Sequence, residues 1–390
     1  RGVLLIGPDA NQLVTRDEAR IFSSVLAYEP FMKDFFPGTL GVKDFEDHAR
    51  HRRILQSAFR HKSLVNYLSL LHPLISQQVN SLPEGEVFLF FPKIKDFLLE
   101  QAAQIFMGQS LNERARVLGK EFIALVAGSS AIFRVNLPLT TFRRGLIAKQ
   151  HLWTFLAEQL PVRRETLSAD LFSHVAHAES ELGERFTDSE VIGHMLGLMS
   201  AAHDTTASAM TSMVQALARY QDVQERMRKE LLATNDIQPD FDGLKNYNFS
   251  ANVFRETLRL WGPSHTLPRV SLKSFEFMGH EIPAQTMVFL SPSYTHRLKE
   301  FWTSPESFDP DRFAEPREEQ KSHRYLFMPF GGGAHSCLGS LLAEIQVKVF
   351  FWHLLRRFRI IGPTSNLEYK LKYAPMPIPK DGLKITLARR

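Results

Sequence analysis

The chain carries one cysteine, Cys337, inside the run Phe330-Gly-Gly-Gly-Ala-His-Ser-Cys-Leu-Gly339. Three consecutive glycines permit positive φ angles and strip side chains from the backbone, so such a loop can lie flat against a large planar object. Phosphate is not that object, because no Lys-Ser or Lys-Thr follows the glycines and no strong strand precedes them. After the cysteine, Leu338, Leu341, Leu342, Ile345, Val349 and Trp352 recur at helical spacing. A cysteine at the mouth of that helix sits in the positive end of its dipole, where free amide donors favour thiolate over thiol. A thiolate beneath a flat ligand suits a haem iron; a lone cysteine packed as a small hydrophobe is the competing reading.

Three further groups have chemical potential. Ala201-Ala-His-Asp-Thr-Thr206 places an acid and two alcohols in an otherwise apolar stretch from Met195 to Met213. Buried acids are rare unless paired or employed, while a cap within a broken helix is the alternative. In His48-Ala-Arg-His-Arg-Arg53, His48 and Arg52 share one helix face and Arg50 and Arg53 point elsewhere; most charge runs are solvated faces. Glu256 and Arg259, three apart on a helix ended by Trp261-Gly-Pro, make a pair that is common on surfaces.

The elements that must position these groups are mostly helical. Thr187-Asp-Ser-Glu190 is a capping box that launches a helix to about Gln221, long for a globular protein. Strands are expected over Gly2–Ile6, Phe275–Phe277 and Met287–Leu290, the last two around the turn Met278-Gly-His-Glu281, with strand-like sequence from Lys370 to Leu387; Asp17–Leu26 reads as a short helix, Phe31–Phe45 and 230–250 as loops. At 390 residues and 44% hydrophobic content the chain can bury a large core. One cysteine forms no internal disulfide, and no run of about 18 apolar residues offers a membrane span. The charge of +5 is scattered, without the aromatic-interleaved groove of a nucleic-acid binder, so an acidic protein partner is preferred.

Phe330, Gly331, Gly333, His335, Cys337 and Gly339 match, in order and spacing, the haem-binding loop of the cytochrome P-450 superfamily, the haem-thiolate monooxygenases. The chain resembles that family nearly throughout: basic helix, acid-threonine helix, Glu-Arg helix, the arginine segment Pro305-Glu-Ser-Phe-Asp-Pro-Asp-Arg-Phe313, and cysteine loop. The resemblance implies a mainly α fold with a smaller β-rich lobe (α+β), one domain over 1–390 with the lobe mainly in 1–30, 265–295 and 365–390, in an N-terminally incomplete chain. It implies haem b between the long central helix and the cysteine loop, with Cys337 as axial ligand. His48, Arg52, Arg269 and His335 would hold the propionates, with Phe330, Gly331 and Ala201 against the ring. Asp204 and Thr205 would handle protons. Ala202 stands where the family usually has glycine. Phe31, Phe35, Ile132, Phe133, Thr266, Leu267 and Met376 are substrate-contact candidates, and Glu256, Arg259 and Arg312 a buried structural network.

The implied reaction inserts one atom of O₂ into a hydrophobic substrate, a lipid, terpenoid, retinoid or sterol-like molecule. Electrons would come from an acidic ferredoxin, a flavodoxin or a reductase docking near Arg50, Arg53, Lys62 and Lys348. The alternatives are a peroxide-using peroxygenase or hydroperoxide isomerase, and a non-enzymatic haem sensor. A monomer is expected that binds no nucleic acid, cytoplasmic, or peripheral on a membrane if a leading segment anchors it.

Overall fold

In the computed structural model, residues 1–108, 113–233, 238–362, 370–373 and 376–390 are described. The helices are α1 (Pro8–Arg16), α2 (Val25–Met32), α3 (Phe45–Gln56), α4 (His61–Asn80), α5 (Phe90–Met107), α6 (Glu113–Ser129), α7 (Thr141–Glu165), α8 (Leu171–Ala176), α9 (Asp188–Arg219), α10 (Gln221–Leu232), α11 (Asn248–Trp261), α12 (Pro292–Thr295) and α13 (Ser340–Arg357). The strands are β1 (Gly2–Leu5), β2 (Phe22–Ser23), β3 (Val87–Leu89), β4 (Leu267–Ser271), β5 (Phe275–Phe277), β6 (His280–Ile282), β7 (Met287–Leu290), β8 (Phe358–Ile361), β9 (Leu371–Lys372), β10 (Ile378–Pro379) and β11 (Lys384–Arg389).

The axis of the helical part is α9. Its capping box is made as expected: the Glu190 N–H donates to Thr187 Oγ1 at 3.3 Å and the Thr187 N–H to the Glu190 carboxylate at 2.8 Å, which satisfies two donors no helical turn can serve. Val191–Leu196 and Thr206–Leu217 are buried on all faces, so α5, α7 and α11 pack around this helix as around a core strut. Gly128 and Gly145 let α6 and α7 approach closely enough to meet the Phe35 ring, and α13 lies across α4 and α10.

β1, β7, β4 and β2 form a mixed sheet in that order, with Gly2 opposite Met287 and Leu267 opposite Leu290. The expected turn after Phe277 is present, with Met278 and Gly279 both at positive φ. The C-terminal strands do not join this sheet. Instead β11 lies between β8 and β3, and β9 pairs with β10, because β8 follows directly on α13 and holds the chain end beside the helical core. Asp17–Leu26 is not a helix either. Asp17 ends α1 at φ 38, and its carboxylate accepts the N–H groups of Ile21 and Phe22 at 2.7 and 3.0 Å, turning the chain into β2. Part of the expected 31–45 loop belongs to α2.

Candidate active site

The cysteine loop is shaped by contact with α1. Gly333 has φ +62, and a Cβ there would lie 1.8 Å from the Thr15 carbonyl oxygen, so no other residue fits. The Cys337 N–H donates to the Phe330 carbonyl at 2.8 Å, closing the loop. Gly339 caps α13 with its first helical residue at Ser340, so Cys337 stands just outside the helix mouth, as expected. Burial pushes its thiol above the usual value, and the Gly339 N–H and Arg52 offset this only in part. Desolvation of this kind disfavours the charged sulfur, and a cation placed against it would favour the thiolate. Yet Cys337 is exposed. A side chain both desolvated and accessible faces a cleft within the protein.

Midway along α9, Ala201 and Thr205 are exposed although the helix is buried on either side of them. Four apart, they share one face, and Thr205 Oγ1 donates to the Ala201 carbonyl at 2.7 Å. The carboxylate of Asp204 is turned elsewhere: Oδ1 lies 2.8 Å from Lys95 Nζ on α5 and 3.0 Å from His203 Nδ1. Burial acts to raise its pKa, but the bonds from His203 and Lys95 prevail and hold it at about 2. Asp204 is thus a fixed anion near neutrality. Sequence reasoning missed Lys95, which no spacing links to position 204.

His48, Arg52, Arg269 and His335 come together from α3, β4 and the cysteine loop around one cavity of about 280 Å³, which Asp17 and Asp44 also line. The His48 and His335 rings lie 3.9 Å apart, and Arg52 donates to the Ser336 carbonyl and hydroxyl at 2.7 and 2.9 Å. Burial, then the neighbouring Arg52, lowers His48 to about 4. Burial, then His48, lowers His335 to about 3. Burial also depresses Arg52 and Arg269, the latter opposed by Tyr28. Cation-capable groups that disfavour one another's charge form a site whose balance an anion restores.

The model of the cytochrome P450 family matches residues 1–384. The chain belongs to the cytochrome P450 family. "Putative cytochrome P450 136" of Mycobacterium tuberculosis is 35% identical over 394 residues, covering 100% of this chain and 80% of that protein. The beta-amyrin 28-monooxygenase of Solanum lycopersicum is 28% identical over 397 residues, covering 98% and 81%. A solved structure described as retinoic acid bound cyanobacterial CYP120A1 superposes with a TM-score of 0.89 at 25% identity, covering 99% of this chain and 89% of that one. This P450 is a haem-dependent monooxygenase that uses O₂, a hydrophobic substrate and a redox partner. The residues fit haem by their chemistry: an accessible thiol in a desolvating cleft, a glycine-cradled loop, and a cluster of cation-capable groups suited to two carboxylates.

The remaining predicted residues divide. Glu256, Arg259 and Arg312 do meet, all fully buried, with Arg259 Nε 2.7 Å and Arg312 Nε 3.1 Å from the Glu256 carboxylate. Phe330 packs near Phe254, 6.4 Å between ring centroids. Thr266 is exposed, and Leu267 and Met376 are half-buried. Phe35 is fully buried against Phe142, edge to face at 5.4 Å, so it is core and not a substrate contact. Ile132 and Phe133, 90% and 81% exposed, are too bare to line a cleft, whose walls would cover them; Phe31 is also exposed. Lys348 is corrected as a docking residue: it is buried, donating to the Leu244 carbonyl at 3.0 Å and paired with Glu344 at 2.8 Å. Arg50 and Arg53 are engaged with Glu190 and Glu184.

Proposed function

We propose that this P450 oxidises a terpenoid or retinoid-like hydrocarbon skeleton, with Cys337 as the iron ligand and Thr205 as the proton donor in the cleft. When bound, haem would supply the activation of O₂, and Cys337 would supply the electron-rich sulfur that favours its cleavage. His48, Arg52, Arg269 and His335 hold the haem carboxylates. Thr205 Oγ1, resting on the Ala201 carbonyl, rotates to present its proton to the cleft and regains one from solvent. Asp204, pinned as an anion by Lys95 and His203 on the side of α5, orders that return path without giving up a proton itself. Ala202 in place of glycine narrows the helix groove beside them.

The observation that carries this reading is the pair Ala201 and Thr205, exposed in the middle of a helix buried on either side. The substrate class is supported by a relative named beta-amyrin 28-monooxygenase, another named abscisic acid 8'-hydroxylase 4, and the neighbour bound to retinoic acid. The electron donor we infer is an acidic ferredoxin or flavodoxin meeting the exposed Lys62 and Arg53, whose association weakens as ionic strength rises. We infer that the protein works as a monomer and in the cytoplasm.

Thr205→Ala tests the proton role. The variant is expected to bind substrate and haem normally and to consume reductant, with product formation about 10²-fold lower and hydrogen peroxide released instead. Full coupling in Thr205→Ala, together with its loss in Thr206→Ala, would move the role to the second hydroxyl.

A further inference from the structure

Two histidines outside the cleft join α3 to α9. His51 Nδ1 lies 2.7 Å from His194 Nε2, and the two side chains are 1% and 2% exposed. The buried Phe186 ring packs on both, with centroids 5.2 Å from His51 and 4.7 Å from His194. At the other edge of His51, Nε2 is 3.0 Å from Arg50 Nη1 and 3.3 Å from both Asp47 Oδ1 and Glu190 Oε1. Glu190 is also the capping-box residue, so the pair sits where α9 begins. His51 follows His48 by one turn of α3 and adjoins Arg52, the two side chains that this helix sends to the haem-carboxylate cavity. Whatever holds His51 on α9 therefore sets where those two groups stand.

A neutral imidazole has one N–H and one lone pair, so two neutral rings make a single N–H···N bond whichever of them donates. With both rings protonated, N–H would face N–H at this separation, and the bond must open. The charged and titratable groups that face the pair are Lys43, Asp47, His48 and Arg50 from α3 and the residues just before it, and Glu190 from α9. Burial, then Lys43, lowers His51 to about 4 against the pull of Asp47 and Glu190. Burial, then His51, lowers His194 to about 3. Above pH about 6.5 neither the closed nor the opened pair takes up a proton; below it, opened histidines accept protons that the closed pair refuses, so acid favours opening. We propose that the His51–His194 bond positions the haem-carboxylate helix α3 on α9 and lets that helix go, and the haem with it, in acid. The inference rests on His48 and Arg52 as holders of the haem carboxylates, an assignment that Arg52→Ala/Arg269→Ala tests separately. At pH 5.5 each freed histidine is protonated about ten to one, which raises the opened population about tenfold over that at pH 7.5, and about 10²-fold for two.

The test is haem transfer from the loaded protein to excess apomyoglobin at pH 7.5 and 5.5. Release from the parent is expected to quicken about 10- to 10²-fold at the lower pH. His51→Asn/His194→Gln puts an amide at each bonding ring nitrogen and so keeps a hydrogen bond that does not titrate. It should match the parent at pH 7.5 and show an acceleration at least about tenfold smaller. His51→Leu, which takes away the bond to His194, should release haem faster already at pH 7.5. His48 and His335 are present in all of these proteins and cancel in the comparison. Hydrogen exchange in the parent needs no variant: corrected for intrinsic rates, the α3 amides should lose protection at pH 5.5 while those of α5 keep it. Equal acceleration in the parent and His51→Asn/His194→Gln, parental release from His51→Leu at pH 7.5, or α3 protection indifferent to pH would each overturn the assignment.

Discussion

Glu256→Gln probes the network that anchors the segment before the cysteine loop. The Glu256 carboxylate accepts from Arg259 Nε at 2.7 Å, Arg259 Nη2 at 2.8 Å, Arg312 Nε at 3.1 Å and the Asp309 N–H at 2.8 Å, with all three side chains fully buried. Arg312 keeps a second carboxylate, Glu319 at 2.6 Å, but among the described residues Arg259 is otherwise met by the carbonyls of His296, Pro305 and Ser307 and by the Trp302 ring at 5.3 Å, none of which carries a charge. Glutamine preserves the shape and one acceptor, yet removes the charge and points an amide NH₂ toward guanidinium groups. Breaking a buried pair from one side costs about 3–5 kcal/mol, because the surviving charge is left uncompensated in a low dielectric. The assay is the urea midpoint of the haem-loaded protein, followed by circular dichroism and haem absorbance, with Asp242→Gln as a comparison, since the Asp242–Lys245 pair is exposed. The comparison variant should not move the midpoint. If Glu256→Gln behaves like it, the network is not a desolvated charge cluster and the reasoning fails.

Two other outcomes are expected. Arg52→Ala/Arg269→Ala should release haem to an acceptor such as apomyoglobin faster while keeping parental circular dichroism, each charge-assisted bond being worth about 1.5–3 kcal/mol; unchanged release would place the carboxylates elsewhere. His296 is buried and accepts the Met328 N–H at 3.0 Å, and burial, then Arg259, holds it at about 3. Above pH about 6.5 neither state binds its proton; between about 6.5 and 3 only the unfolded chain does. Stability should therefore fall as pH drops, by up to about 1.4 kcal/mol per pH unit from this residue. His296→Asn should flatten the acid side of the midpoint-against-pH curve, and an identical slope would remove His296 from the account.

What was legible in the sequence was what local rules determine. The Thr187–Glu190 box, the α9 length and the turn at Met278 each depend on residues a few positions apart, whose geometry a spacing reveals. The glycines ahead of Cys337 were also readable, though not the reason for Gly333, a carbonyl of α1 more than 300 positions away. Long-range choices were not readable. Nothing near Lys95 announces Asp204, and nothing in 384–389 names 87–89 as its partner. Lys348 looked like surface because lysine usually is, but a paired carboxylate and a carbonyl at its tip let it be buried. Phe35 looked like a channel aromatic and was claimed by a glycine gap between two helices.

The central claim is that Cys337, lifted toward the thiol by burial, becomes a thiolate against iron. The absorption spectrum of the reduced haem protein under carbon monoxide tests it most directly. The account predicts the far-red-shifted Soret band of thiolate ligation in the parent and its loss in Cys337→His, with circular dichroism retained. A Soret band at the ordinary histidine-haem position in freshly prepared parent protein, or an unshifted far-red band in Cys337→His, would contradict it.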